Sequence, residues 1–206
     1  DVYKRQEQEG SYLVGVAAAM ASKSKKIGFV GGMDIPLIRA FSCGYNQGAK
    51  AQYPKIEIMS NMVGTTAAAW NDPAKGGELA RQQFDRGADV VFAVAGGSGM
   101  GALQMAKEKG KLAIGVDSNQ NYLHPGNMLT SMVKRVDVAI YDAFMQVKNG
   151  TWKGGVTYKG LKEGGVDWVL DKDNRKVVTP EIEKRVNGVK ACLLYTSPSP
   201  RDVEES

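Results

Sequence analysis

From Lys26 to Val189 the chain alternates short apolar runs with longer stretches of helical spacing, and Gly or Pro marks most junctions. Lys26–Gly31, Lys55–Met59, Val90–Ala95, Leu112–Val116, Met128–Met132 and Val166–Leu170 have the length and content of strands. Val90-Val91-Phe92-Ala93-Val94-Ala95 is apolar at almost every position, as a parallel strand covered on both faces must be. Helical spacing predicts helices over Tyr12–Ala21 with Ser11 as N-cap, Pro36–Gln52, Asp72–Arg86, Ala102–Lys109, Val136–Lys148 and Thr179–Val189. Gly150–Gly165 reads as loop. The order is α-β-α-β-α-β-α-β followed by a strand and helix. Such alternation predicts an α/β fold with a Rossmann-like parallel sheet and helices on both faces.

The densest chemistry lies in Asp89–Gln120, DVVFAVAGGSGMGALQMAKEKGKLAIGVDSNQ. A strand runs into Gly96-Gly97-Ser98-Gly99, a helix follows to Gly110, and a second strand ends at Asp117. In open α/β sheets the carboxyl ends of the strands are where ligands bind, so this segment predicts a small-molecule cleft. Gly96 and Gly97 leave room for close approach of backbone to a ligand. Gly96–Gly101 with Asp117 downstream also allows a Rossmann-type NAD(P)-dependent oxidoreductase as an alternative.

The ends read differently. Asp1–Gln6 and the start of Cys192–Asp202 (CLLYTSPSPRD) back-translate to complementary strings that resemble a transposase-type sequencing adaptor read in frame. Residues 1–6 and 192–206 are therefore expected to be adaptor-derived and outside the fold. The formal net charge is +5, and setting the ends aside changes it by only about one unit, spread along the chain. No basic patch argues for nucleic acid. Without Cys192, Cys43 has no intrachain partner. No run reaches the roughly 18 apolar residues of a membrane span.

Other chemistries find little support. His124 is the sole histidine, in the Tyr122–Gly126 turn, which excludes a His/Cys metal cluster and reads as a surface loop. No serine stands in a nucleophile elbow. Tyr158 and Lys162 have dehydrogenase spacing, yet Gly160 and Gly164-Gly165 deny them a helix. No catalytic residue, metal or cofactor is expected. Phe41, early in the helix after Gly31-Gly32, is either a core aromatic or a stacking platform for a flat ring. Lys134, between a strand and a helix, is either solvated or a partner of Asp117 that donates to a ligand.

Several segments together, EGSYLVGVAAA, KIGFVGGMDIPLIRAF, GADVVFAVAGGSG, AKEKGKLAIGVDSNQ and LTSMVKRVD, resemble the basic-membrane-protein (BMP) family of ABC-importer substrate-binding lipoproteins, which includes purine nucleoside receptors. The resemblance implies a type I periplasmic-binding-protein fold, in which two lobes close on a ligand by a hinge. It implies residues 7–25 as a remnant of the N-terminal lobe and residues 26–191 as the C-terminal ligand-binding lobe with hinge segments. It further implies an extracytoplasmic, lipid-anchored, non-catalytic protein that hands a nucleoside to permease subunits. By the same resemblance Phe41 stacks on the purine, Asp117 binds ribose hydroxyls, Lys134 is the basic partner, and Gly96 and Gly97 line the cleft. A ligand-sensing regulatory domain of the same fold is the other alternative.

Overall fold

The computed structural model describes residues 2–196, with side chains from 6 to 195. Asp1 and the 197–206 part of the adaptor-like run lie outside the described residues. The strands are β1 (Val2–Arg5), β2 (Lys26–Gly31), β3 (Glu57–Met62), β4 (Val90–Val94), β5 (Leu112–Asp117), β6 (Met128–Lys134), β7 (Val156–Lys159) and β8 (Val166–Trp168). The helices are α1 (Glu7–Ala21), α2 (Pro36–Gln52), α3 (Pro73–Asp85), α4 (Gly97–Glu108), α5 (Val136–Lys148) and α6 (Pro180–Thr196). Six strands form one sheet in the order β3-β2-β4-β5-β6-β8, parallel except for β8, which runs antiparallel to β6. β1 and β7 pair separately, in parallel, so Val2–Arg5, expected outside the fold, form a strand, as residues 192–196 extend α6.

The sheet divides two cores, and the apolar run of β4 shows why both are needed. Val90, Phe92 and Val94 point to the side covered by α1, α2 and α6, whereas Val91 and Ala93 point to the side covered by α3 and α4. Phe29, Phe41, Tyr45 and Phe92 form an aromatic cluster on the first side, with ring centroids 5.3–6.4 Å apart. A strand buried on both faces has no polar side to display.

Glycines set the approach of α1 to α2. A Cβ on Gly15 would stand 2.2 Å from the Tyr45 carbonyl oxygen, and on Gly48 2.1 Å from that of Tyr12. The helix expected to belong to another lobe thus packs along α2 and buries Leu13, Val14 and Val16 in the same core as Phe29.

Several boundaries differ from expectation. Ser11 does not cap a helix, because α1 begins at Glu7 with Gln6 as cap, and Ser11 is buried mid-helix. Acidic Glu7 and Glu9 occupy the first turn, where the helix dipole favours them. The glycine run is itself the first turn of α4, which starts at Gly97 rather than Ala102. β7 lies within the expected loop, and α6 continues past Val189 to Thr196. Asp72 does cap α3, accepting from the Lys75 backbone N–H at 2.9 Å.

Candidate functional site

Because β2, β4, β5 and β6 are parallel, their carboxyl ends share one rim, and α2 and α4 start there. Asp117 ends β5 with φ +69°, a left-handed backbone that a non-glycine residue adopts at a cost of about 1–2 kcal/mol. Its carboxylate is exposed. Lys134 ends β6, one position beyond the partner of Asp117 in the parallel register. Its Nζ lies 3.2 Å from Asp117 Oδ1, 3.7 Å from Glu7 Oε1 and 5.5 Å from the Phe41 ring centroid. The structure therefore brings Phe41, Asp117 and Lys134 into one chain of contacts.

Phe41 is 1% exposed and its ring packs against Phe92, 6.4 Å between centroids. With the Lys134 ammonium over it, the ring presents no open face. It is the floor beneath Lys134 rather than a bare platform.

The loop after Asp117 is held from below. Gln120 accepts the Val116 N–H at 2.9 Å and its own N–H donates to Ser131 Oγ at 2.9 Å. Ser131 donates to Asn121 Oδ1, also 2.9 Å away. Gly115 is required here, since a Cβ would stand 2.6 Å from Gln120 Oε1 and 2.8 Å from Ser131 Oγ. Asn119 and Asn121 donate to Asp171 Oδ2 at 2.7 and 3.1 Å. Burial raises the pKa of Asp171, but these amides and the N–H groups of Asp173 and Asn174 outweigh it and hold the carboxyl below its ordinary value. An open groove of about 680 Å³ runs beside Asp117, Asn119, Lys134, Asp167 and Trp168.

Gly96 and Gly97 are exposed at the rim, and Gly96 has φ +56°. Their nearest neighbour is Trp70, which no sequence pattern singled out. Hypothetical Cβ atoms on Gly96 and Gly97 would lie 3.2 and 3.1 Å from the Trp70 carbonyl oxygen, and one on Gly32 would lie 2.2 Å from the Trp70 ring. Ser98 pins this segment, donating to Ala69 O and accepting from Asp72 N–H, both at 2.7 Å. Trp70 thus lies close against the glycine turn. A clue was available: a single aromatic ends the small-residue run Thr65-Thr66-Ala67-Ala68-Ala69 just before the Asp72-Pro73 cap.

The remaining chemistry is not at the rim. His124 lies half-buried in its turn, and burial, then the nearby Lys107, lowers its pKa. Tyr158 lies on β7 and Lys162 in the turn beyond it, with no helix to align them. Among the described residues, no three His, Cys, Asp or Glu side chains could hold a metal.

A family model described as "ABC transporter substrate-binding protein PnrA-like" (Bmp) matches residues 3–193. The chain belongs to this family. It is 36% identical over 192 residues to Basic membrane protein A of Borreliella afzelii, covering 91% of this chain and 57% of that protein. It is 37% identical over 207 residues to the ABC transporter nucleoside-binding protein BmpA of Lactococcus lactis subsp. cremoris, covering 91% of this chain and 56% of the relative. A solved solute-binding protein of an Aeropyrum pernix ABC transporter superposes with TM-score 0.75 at 31% identity, over 98% of this chain and 56% of that one. The fold is that of type I periplasmic binding proteins. A transcriptional activator of the comK gene from Bacillus halodurans shares it, with TM-score 0.85 at 23% identity over 96% of this chain and 66% of that one. The chain spans little more than half the length of the curated relatives it matches.

Proposed function

We propose that the chain is the greater part of one lobe of a nucleoside receptor serving an ABC importer, binding its ligand without catalysis. The observation that carries this reading is the meeting of Asp117 and Lys134 at the strand rim over Phe41. An exposed carboxylate on a fixed, left-handed backbone suits a vicinal diol, since its two oxygens accept from two neighbouring hydroxyls. Lys134 supplies donors to a ribose oxygen or a base nitrogen. Gly96 and Gly97 open α4 at the same strand rim and keep it free of side-chain bulk. Stacking by Phe41 would require the Lys134 ammonium to leave its ring. Purine is favoured over pyrimidine only by the family resemblance.

In this proposal the second lobe comes from residues beyond this sequence and seats on one exposed face of the chain. α5 carries Val136, Ile140, Tyr141, Phe144 and Val147 exposed along one stripe, with Phe144 72% exposed, and β7 contacts α5 through the Lys159–Asp142 ion pair. Crossings at Gln6–Glu7, Lys134–Val136 and Lys159–Leu161 join these pieces to the main sheet, so hinged closure brings the two halves together over Asp117. A lipid-anchored, extracytoplasmic position and delivery to permease subunits complete the proposal. Among the described residues, no helix is long and apolar enough to cross a membrane.

Calorimetric titration of the full gene product with adenosine, guanosine, inosine and NAD tests the reading. Nucleoside binding at micromolar affinity or tighter with no response to NAD is expected. NAD binding without any nucleoside response would reverse the conclusion in favour of a dinucleotide enzyme.

A further inference from the structure

Lys134 stands between two carboxylates that differ in exposure. Asp117 is the nearer, at 3.2 Å, but its side chain is 58% exposed. Glu7 is farther, at 3.7 Å, and its side chain is 9% exposed. Distance and burial therefore rank the two contacts in opposite orders. Water screens the Asp117 contact and leaves it little net worth. A carboxylate as buried as Glu7 loses its hydration, and removing its cation would strand a charge in a poorly solvated place. Burial decides here, so the Glu7 contact is the stronger hold on the ammonium.

We propose that Glu7 is a positioning residue of the binding site. It anchors Lys134 at the rim so that the ammonium stays in place when ligand hydroxyls take Asp117 away from it. This rests on the nucleoside reading of the same rim. Without Glu7, the ligand would compete with Lys134 for Asp117, and each binding event would release a lysine with nowhere else to go. With Glu7, the lysine has a second carboxylate and remains available to donate to the ligand.

The placement of Glu7 adds a second consequence. Glu7 opens α1 directly after the crossing from β1, whereas Lys134 closes β6 directly before the crossing to α5. Their contact ties two of the three crossings that join the main sheet to the β1–β7 and α5 pieces. The third is tied close by: Glu9 Oε2 accepts the Leu161 N–H at 2.7 Å, and the Gln6 N–H donates to Lys159 O at 3.3 Å.

The test uses the full gene product and the variants Glu7→Gln, Glu7→Asp, Lys134→Met and the double variant Glu7→Gln/Lys134→Met. Nucleoside affinity is read by calorimetry, and the ligand-free environment of Lys134 by the NMR signal of its ε-methylene. Glu7→Gln is expected to weaken binding about tenfold, which corresponds to about 1.4 kcal/mol. The same change in the Lys134→Met background should cost almost nothing further, and Glu7→Asp should recover part of the loss. In ligand-free Glu7→Gln protein the Lys134 signal should move to the position of solvated lysines. Unchanged affinity, an equal loss in both backgrounds, or an unmoved Lys134 signal would overturn the proposal. If wild-type protein binds no nucleoside, the functional reading falls, and the ligand-free signal alone then decides whether Glu7 places Lys134.

Discussion

Replacing Asp117 by Asn separates the charge at the rim from the backbone that presents it. Asn tolerates the left-handed region about as well as Asp, so φ +69° should persist and the loop braced by Gln120 and Ser131 should keep its shape. What is lost is an exposed ion pair with Lys134, worth about 0.2–1 kcal/mol, and the charge-assisted bonds to a ligand, worth about 1.5–3 kcal/mol. Dissociation constants should therefore rise by roughly 10- to 150-fold. Ligand at 100 times the wild-type Kd stabilises the folded state by about 2.7 kcal/mol. For a chain of this size that is a rise in Tm of roughly 5–11 °C. At the same ligand concentration the variant should gain only about 1–5 °C. Asp117→Ala supplies the complementary control. It loses the same bonds and also puts into left-handed geometry a residue whose side chain cannot hydrogen-bond locally, so without ligand it should be about 1 kcal/mol less stable than the Asn variant. Thermal unfolding with and without adenosine or inosine measures all of this. An Asn variant that binds within about twofold of wild type, on a scale where 1.4 kcal/mol is tenfold, would remove Asp117 from the site.

Two further outcomes concern the scaffold. Gly48→Ala puts a methyl 2.1 Å from the Tyr12 carbonyl oxygen, so α1 must lift from α2; a loss of about 1–3 kcal/mol is expected by circular-dichroism melting, whereas Gly188→Ala in α6, with nothing within 4 Å, should cost nothing. Asp171 contributes stability that is complete above its unfolded pKa, near 3.8, and is lost as pH falls through its lower folded value; the stability gap between wild type and Asp171→Asn should accordingly be widest near neutrality and shrink below about pH 4, and a gap independent of pH would contradict the assigned bonds.

Local signals carried much of the architecture. The apolar run at Val90, the Asp72-Pro73 cap and the Pro36 helix start all act within a few residues, so spacing alone placed β4, α2 and α3 nearly where they lie. The resemblance named Asp117 and Lys134, and it was tertiary pairing of β5 with β6 that set them 3.2 Å apart. Phe41 shows the limit of such reading. An aromatic at helical spacing is the same letter whether its face is open or covered, and only packing against Phe92 and Lys134 decided that it is covered.

The sequence by itself determined the order of the main-sheet strands and the helices between them, because hydrophobic period, proline and glycine are properties of neighbours along the chain. The tertiary structure alone decided that α1 shares the core of α2, that Trp70 packs against the turn at Gly96, and that Glu7 lies beside Lys134. Each of these joins residues tens to more than a hundred positions apart. No local pattern encodes such a meeting; it follows from where the sheet order brings the strand ends, and from which charges burial leaves with only one another for company.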